Sequence, residues 1–414
     1  MPALSPIAAL LTVAPLAAVM LAAAGTAALL GRRFGFPAEG GRLVSLDGLR
    51  GYLALGVFAH HAYRWHSLVR CGRWLPPHPN RLYVHAGESA VTLFFMMTGF
   101  LFGAKLAEGR RRPIDWRRLY VGRVLRIYPL YGVALVAVLL LVAASTGPGL
   151  HVPPLAAVRS VVAWCRFARP DLNGMPATWL TVAGVTWSLE YEWLFYCALP
   201  VAGLAFGARP AWGWLAAGAL GAAAFAYWIV SEHSPPPHLE HLGAFAAGVV
   251  ASVVTRSAWV RAALGRPAAG VAALGAAALV PVLFDEPYRW GVLALLAPLF
   301  FVVASGNTLF GLLRLPASRF LGEISYSIYL LHGLLLFVVF REVVGSPAAG
   351  GLSSAEYWGL IVALAPVLVV LTFATFRLIE RPAIRATPHV QAWLARGGGA
   401  GRTRGTEGPS RMAA

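Results

Sequence analysis

The 414-residue chain is 58% hydrophobic and only 12% charged, with a mean hydropathy of +0.66, which excludes an ordinary soluble domain and predicts an all-α polytopic membrane protein. Its net charge of +17 does not indicate nucleic-acid binding, because the arginines lie in short loops between apolar stretches, as cytoplasmic loops facing anionic lipid do. Cys71, Cys165 and Cys197 have no metal-ligand spacing, so no metal is expected.

Eleven stretches have about the length a bilayer core requires: residues 5–30, 47–66, 85–105, 127–146, 183–204, 211–230, 238–255, 268–284, 288–306, 320–341 and 357–379. Several are rich in Ala, Gly and Val, which suits close helix packing in lipid. The first stretch lacks the basic start of a signal peptide and its apolar run is long for one, so residues 1–32 are expected to be a retained helix. Residues 386–414, with GGGAGRTRGTEG, read as a disordered basic tail. With the N-terminus outside, 25 of the 34 Lys and Arg residues fall on the cytoplasmic side, eight of them in the 105–126 loop. The positive-inside rule prefers this orientation. Cys71 and Cys165 then lie in outer segments, and are placed to pair if that compartment is oxidising.

The second stretch, LDGLRGYLALGVFAHHA (46–62), carries ionisable groups inside an apolar span, which by default marks function. Arg50 and His61 are eleven residues apart, about 16 Å of helical rise and almost a whole number of turns. Both are therefore expected to look into one cavity from different depths, with His60 about 100° away. Arg50 has two other options, snorkelling to the membrane edge or pairing with Asp47. Next comes LFFMMTGFLF (93–102), where Gly99 and Gly103 have the spacing of close helix packing. RVLRIYPLY (123–131) brings Arg123 and Arg126 at the end of the basic loop. In TWSLEYEWLFY (186–196), Glu190 and Glu192 point about 200° apart, while Glu192 shares a face with Ser188. LGEISYSIYLLH (321–332) places Tyr326, Tyr329 and His332 at three-residue steps, and ERP (380–382) follows.

In this order the motifs resemble those of the acyltransferase-3 family of integral-membrane acyltransferases, over about residues 43–385. The family pattern of ten spans implies a ten-span bundle plus one extra N-terminal helix here. The resemblance implies transfer of an acyl group, often acetyl, from a coenzyme A thioester to a hydroxyl on a sugar or other acceptor. Acyl-CoA is then a donor substrate and not a bound cofactor. Arg50 and His61 match the family's Arg-x10-His pair, with His61 as general base or transient acyl carrier and Arg50 as a positioning group. Arg123 and Arg126 match its Arg-x-x-Arg motif, suited to the donor's phosphates. Glu192 matches the glutamate after Trp-Ser-Leu and would orient a histidine, bind the acceptor or form an ion pair. His332 is also present in the family, lining the cavity or bonding between helices, and Ser188 and Tyr326 are expected to line the cavity. Thr98 stands where the family usually shows serine.

The expected protein is a multi-pass enzyme of the cytoplasmic membrane that acylates a glycan, a glycolipid or a secondary metabolite. A transporter or exporter of a glycan or acylated metabolite is the alternative, although no internal repeat, P-loop or HExxH motif is visible. The charge asymmetry makes a direct prediction. A reporter that fluoresces only in the cytoplasm should be bright when fused after Ala107 and dark after Pro79. The reverse pattern would invert the topology.

Overall fold

The computed structural model describes residues 6–37, 44–76, 79–109, 112–232 and 239–399. Among these the chain is helical, with no strand beyond an isolated Leu172–Met175 bridge. In chain order the helices are α1 (Pro6–Phe34), α2 (Val44–Cys71), α3 (Arg81–Glu108), α4 (Trp116–Thr146), α5 (Pro154–Cys165), α6 (Trp187–Ala205), α7 (Trp212–Glu232) and α8 (Leu239–Val254). There follow α9 (Ala258–Leu264), α10 (Pro267–Leu283), α11 (Trp290–Ala304), α12 (Pro316–Glu323), α13 (Ser325–Phe337), α14 (Ser346–Gly351), α15 (Ser354–Thr375), α16 (Arg381–Arg385) and α17 (Thr387–Gly399).

Ten of the eleven expected stretches each coincide largely with one helix, the exception being 320–341. Six helical stretches among the described residues are long and apolar enough to cross a bilayer: those of α1, α3, α4, α7, α13 and α15. α8 joins α9 at a bend of 113°. α2 and α6 are less apolar because they carry the charged and polar groups of the candidate site. Polar residues are tolerated in membrane helices when they face a bundle interior, and α2 is largely enclosed: Leu55, Phe58, Ala59 and Ala62 are fully buried. α1 and α7 lie at the rim, where Leu21, Leu29 and Leu220 expose apolar side chains.

The central position of α2 follows from its glycines. A Cβ on Gly48 would lie 2.1 Å from the Leu313 carbonyl oxygen, and one on Gly56 would lie 2.5 Å from that of Ala86. On the facing side, a Cβ on Gly322 of α12 would meet the Asp47 carbonyl at 1.8 Å. The same device joins α3 to α8. Gly99 faces the Phe245 carbonyl at 2.1 Å and Gly248 faces that of Met96 at 1.9 Å, so the Gly99/Gly103 pair does mark close packing.

Three expectations need correction. The stretch 320–341 is not one helix: it breaks at Ile324 and ends in a π-helical turn, Val338–Val343. A second π-helical turn, Phe376–Glu380, follows α15. The tail does not become irregular at residue 386, because α17 runs to Gly399 and packs on α4. Residues 400–414 lie outside the described residues. Finally, Cys71 and Cys165 are exposed and unpaired. Tyr131 Oη and Trp164 Nε1 hold the end of α5 through the Trp164 and Pro170 carbonyls, at 2.5 and 2.8 Å, and leave Cys165 outward.

Gly248 gives a test of this packing. Gly248→Val should destabilise the protein by roughly 3 kcal/mol or more, because the clash is with backbone and cannot be relieved by a rotamer. Gly275→Ala, where the added Cβ meets nothing, should be neutral or slightly stabilising. Thermal aggregation in detergent, followed by size-exclusion chromatography, reads both. Equal melting of the two variants would refute the backbone-contact account.

Candidate active site

Two cavities lie along α2. The first, about 250 Å³, surrounds its C-terminal half and is lined by His60, His61, Arg64, Glu88, Tyr288 and three indoles, Trp74, Trp179 and Trp187. His61 Nδ1 lies 3.0 Å from the Val57 carbonyl and 3.0 Å from His332 Nε2. His332 Nδ1 in turn lies 2.9 Å from the Ile328 carbonyl. A carbonyl only accepts, so a neutral His332 carries its proton on Nδ1 and offers a lone pair at Nε2. His61 therefore donates from Nδ1, to that lone pair and to Val57. Its own lone pair sits on Nε2, which has no hydrogen-bond partner among the described residues.

His60 is held differently. Its Nδ1 donates to the Tyr83 carbonyl at 2.9 Å and its Nε2 accepts from Arg64 Nε at 3.0 Å. Arg64 Nη2 donates to Glu88 Oε1 at 2.5 Å. His60 thus lines the cavity with both ring nitrogens engaged, on a chain that runs to a carboxylate of α3. The linker between α5 and α6 supplies Trp179, Ala183, Gly184 and Val185 to the same cavity. Ala177 and Ala183 there have φ of 54° and 52°, left-handed values that disfavour any residue with a Cβ and depend on the surrounding packing.

The second cavity, about 140 Å³, surrounds the N-terminal half of α2 and is lined by Arg50, Arg123, Arg126, Glu192, Ser188, Thr98 and Tyr326 among others. Arg50 Nη2 donates to Asp47 at 2.7 Å, and its buried Nε has no partner among the described residues. The Arg123 guanidinium lies over the Phe102 and Tyr196 rings, at 5.3 and 5.9 Å. Tyr196 donates to Glu192 Oε2 at 2.8 Å. Arg126 stands over Tyr326 at 5.8 Å and 3.7 Å from Glu380, a fully buried carboxylate that also accepts from Ser327 Oγ. Tyr326 donates to the Ile127 carbonyl at 2.9 Å. Three arginines thus converge on one cavity with few carboxylates, an arrangement that favours an anion.

The model of a family described as an acyltransferase domain matches residues 43–377, most of the chain. The chain belongs to the acyltransferase-3 family. No curated protein and no solved structure matches it. The protein is accordingly a multi-pass membrane acyltransferase, and α1 precedes the matched region.

In this acyltransferase, Arg50 and His61 lie on one helix but in different cavities, not in a single one as their spacing suggested. Val91 and Tyr329 stand between the two and line both. Among the described residues Glu192 accepts from Tyr196 and is bonded to no histidine. It faces the arginine cavity, with Ser188 beside it as expected. Glu190 is buried with Arg169 at 4.0 Å. Sequence reasoning missed Arg64, Glu88 and Glu380. Glu88 had a signal, a carboxylate inside the apolar stretch 85–105. Arg64 is four residues beyond His60, the distance of a helical neighbour. ERP was noticed, yet the partner of Glu380 lies some 250 residues away in the chain, on α4.

The two histidines are held by different partners and are expected to differ in their effect on activity. His61→Ala should lower acyl transfer by about 10²–10⁴-fold, the usual loss of a general base. His60→Ala should keep most of the activity, provided that both variants elute as the native species. A dead His60 variant beside an active His61 variant would overturn this assignment.

Proposed function

We propose that the acyltransferase moves an acyl group, acetyl or another short chain, from acyl-CoA to a hydroxyl of a glycan, glycolipid or secondary metabolite in the cytoplasmic membrane. The observation that carries this reading is the hydrogen bonding of His61 Nδ1 to Val57 and His332, which assigns the ring's lone pair to Nε2. A proton acceptor at Nε2 faces a cavity while Nδ1 is held by two acceptors. The acceptor hydroxyl gives its proton to Nε2 as its oxygen attacks the thioester carbonyl. The C–S bond breaks, and the resulting imidazolium returns the proton to the coenzyme A sulfur. Nδ1 keeps its hydrogen bonds throughout, and His332 is a positioning residue that stabilises the transient imidazolium.

Arg50, Arg123 and Arg126 suit the phosphates of the donor, since guanidinium binds phosphate oxygens in pairs and the Arg50 Nε is unoccupied. The donor then enters from the side of the basic 105–126 loop, where the positive-inside rule puts the cytoplasm. Around His61 the flat indole faces of Trp74, Trp179 and Trp187 suit a sugar ring. The Arg64–Glu88 pair adds hydrogen-bonding groups for neighbouring hydroxyls. Export gains no support from the family match, which describes an acyltransferase.

The test is incubation of membranes containing the protein with radiolabelled acetyl-CoA. Label should pass to lipid or to an added carbohydrate, and should be lost in His61→Ala. Absence of transfer with acetyl, butanoyl and octanoyl donors alike would overturn the reading.

A further inference from the structure

Val91 of α3 and Tyr329 of α13 both line both cavities. The Tyr329 hydroxyl donates to the Val185 carbonyl at 2.9 Å and accepts from Ser188 Oγ at 2.7 Å. Val185 lines the histidine cavity and Ser188 the arginine cavity, so this one hydroxyl is tied to a wall of each. Its ring is fixed edge-on by Phe94, with centroids 6.1 Å apart, and by His332, at 6.3 Å. Tyr329 is 8% exposed and Val91 5%. Arg50 and His61 are separated along α2 by about 16 Å of rise. A thioester anchored at the arginines therefore has to pass this partition to reach His61.

We propose that Val91 and Tyr329 form a neck that sets which acyl groups the enzyme transfers and keeps the thioester from water until an acceptor is bound. This rests on the acyl-CoA reading above. A β-branched side chain and a phenol held by two hydrogen bonds line both cavities, so the neck should favour acetyl over chains of four carbons or more. Opening requires Tyr329 to leave both partners. Each such bond is worth roughly a fivefold change in an equilibrium, so the closed form dominates while the neck is empty.

Purified full-length protein in lipid nanodiscs, supplied with acetyl-, butanoyl- and octanoyl-CoA, tests the sizing role. Val91→Ala removes two methyl groups, and a methylene in an apolar contact discriminates about 10–200-fold. The butanoyl-to-acetyl rate ratio should therefore rise on the order of tenfold or more. Tyr329→Phe keeps the ring but frees it from both walls. Release of coenzyme A thiol without acceptor, by hydrolysis to the free acid, should rise on the order of ten- to thirtyfold. A third measurement is independent of turnover. Val57 lines the histidine cavity, and Val57→Cys in a background lacking Cys71, Cys165 and Cys197 gives a reporter there. In sealed vesicles with the basic loop outward, a small charged thiosulfonate should label it faster when Tyr329→Phe is also present.

Active wild-type protein with an unchanged rate ratio in Val91→Ala would overturn the sizing role. Unchanged thiol labelling and unchanged leak in Tyr329→Phe would overturn the neck. If the wild type turns over none of the donors, the acyl-CoA reading fails, and labelling still decides whether the partition exists.

Discussion

Backbone-to-backbone contact around α2 is the constraint on which the site depends. In lipid no hydrophobic force drives helices together, so association comes from close packing and interhelical hydrogen bonds. Gly48 and Gly56 let the residues around Leu313 and α3 approach α2 until carbonyl oxygens fill the places of missing side chains, and Gly51 admits Leu321 and the Gly322 backbone of α12 in the same way. Gly87 does the same for the His60 ring, which lies 2.4 Å from where its Cβ would be. This contact fixes the rotation of α2 and the distance to α13. His61 and His332 meet at 3.0 Å only because both are set.

Within that frame, charge is handled by pairing. Arg64 with Glu88, Arg50 with Asp47 and Arg126 with Glu380 each place a guanidinium against a carboxylate. An unpaired charge in this setting costs several kcal/mol, whereas a paired one can be held in a defined position. The pairing is incomplete around the arginine cavity. Arg123 is held by aromatic faces, and Arg50 keeps an unused donor. That residual positive character suits the anionic donor proposed above. The histidine cavity, by contrast, is aromatic and close to charge-balanced, so the two suit different ligands.

The sequence made the helices and much of the site legible, for identifiable reasons. Apolar length alone marked the stretches, since water-free surroundings leave a chain little choice but helix. The eleven-residue step from Arg50 to His61 correctly put both toward the interior, because helical periodicity is local. Local periodicity does not reveal what stands between two residues on one face. Val91 and Tyr329 come from other helices, so the division into two cavities had no signature along α2. The pairing of Glu380 with Arg126 and the bond of His332 to His61 likewise join distant segments. Glu192 pairs with Tyr196, one turn further along its own helix, a partner that helical spacing alone offered.

The π-helical turn at Phe376–Glu380 has a bearing on length variation in this chain. Such a turn is an α-helix that has absorbed one additional residue, which advances everything after it by about 100° around the axis. Here the advance brings Glu380 inward to Ser327 and Arg126 and sets α17 against α4. Loss of a single residue between 376 and 379 would let the helix regularise and would turn Glu380 away from its arginine. At this spot the protein is more sensitive to a change in residue number than to many changes in residue type. Gaps in related chains should therefore avoid these four positions, even where side-chain identity drifts.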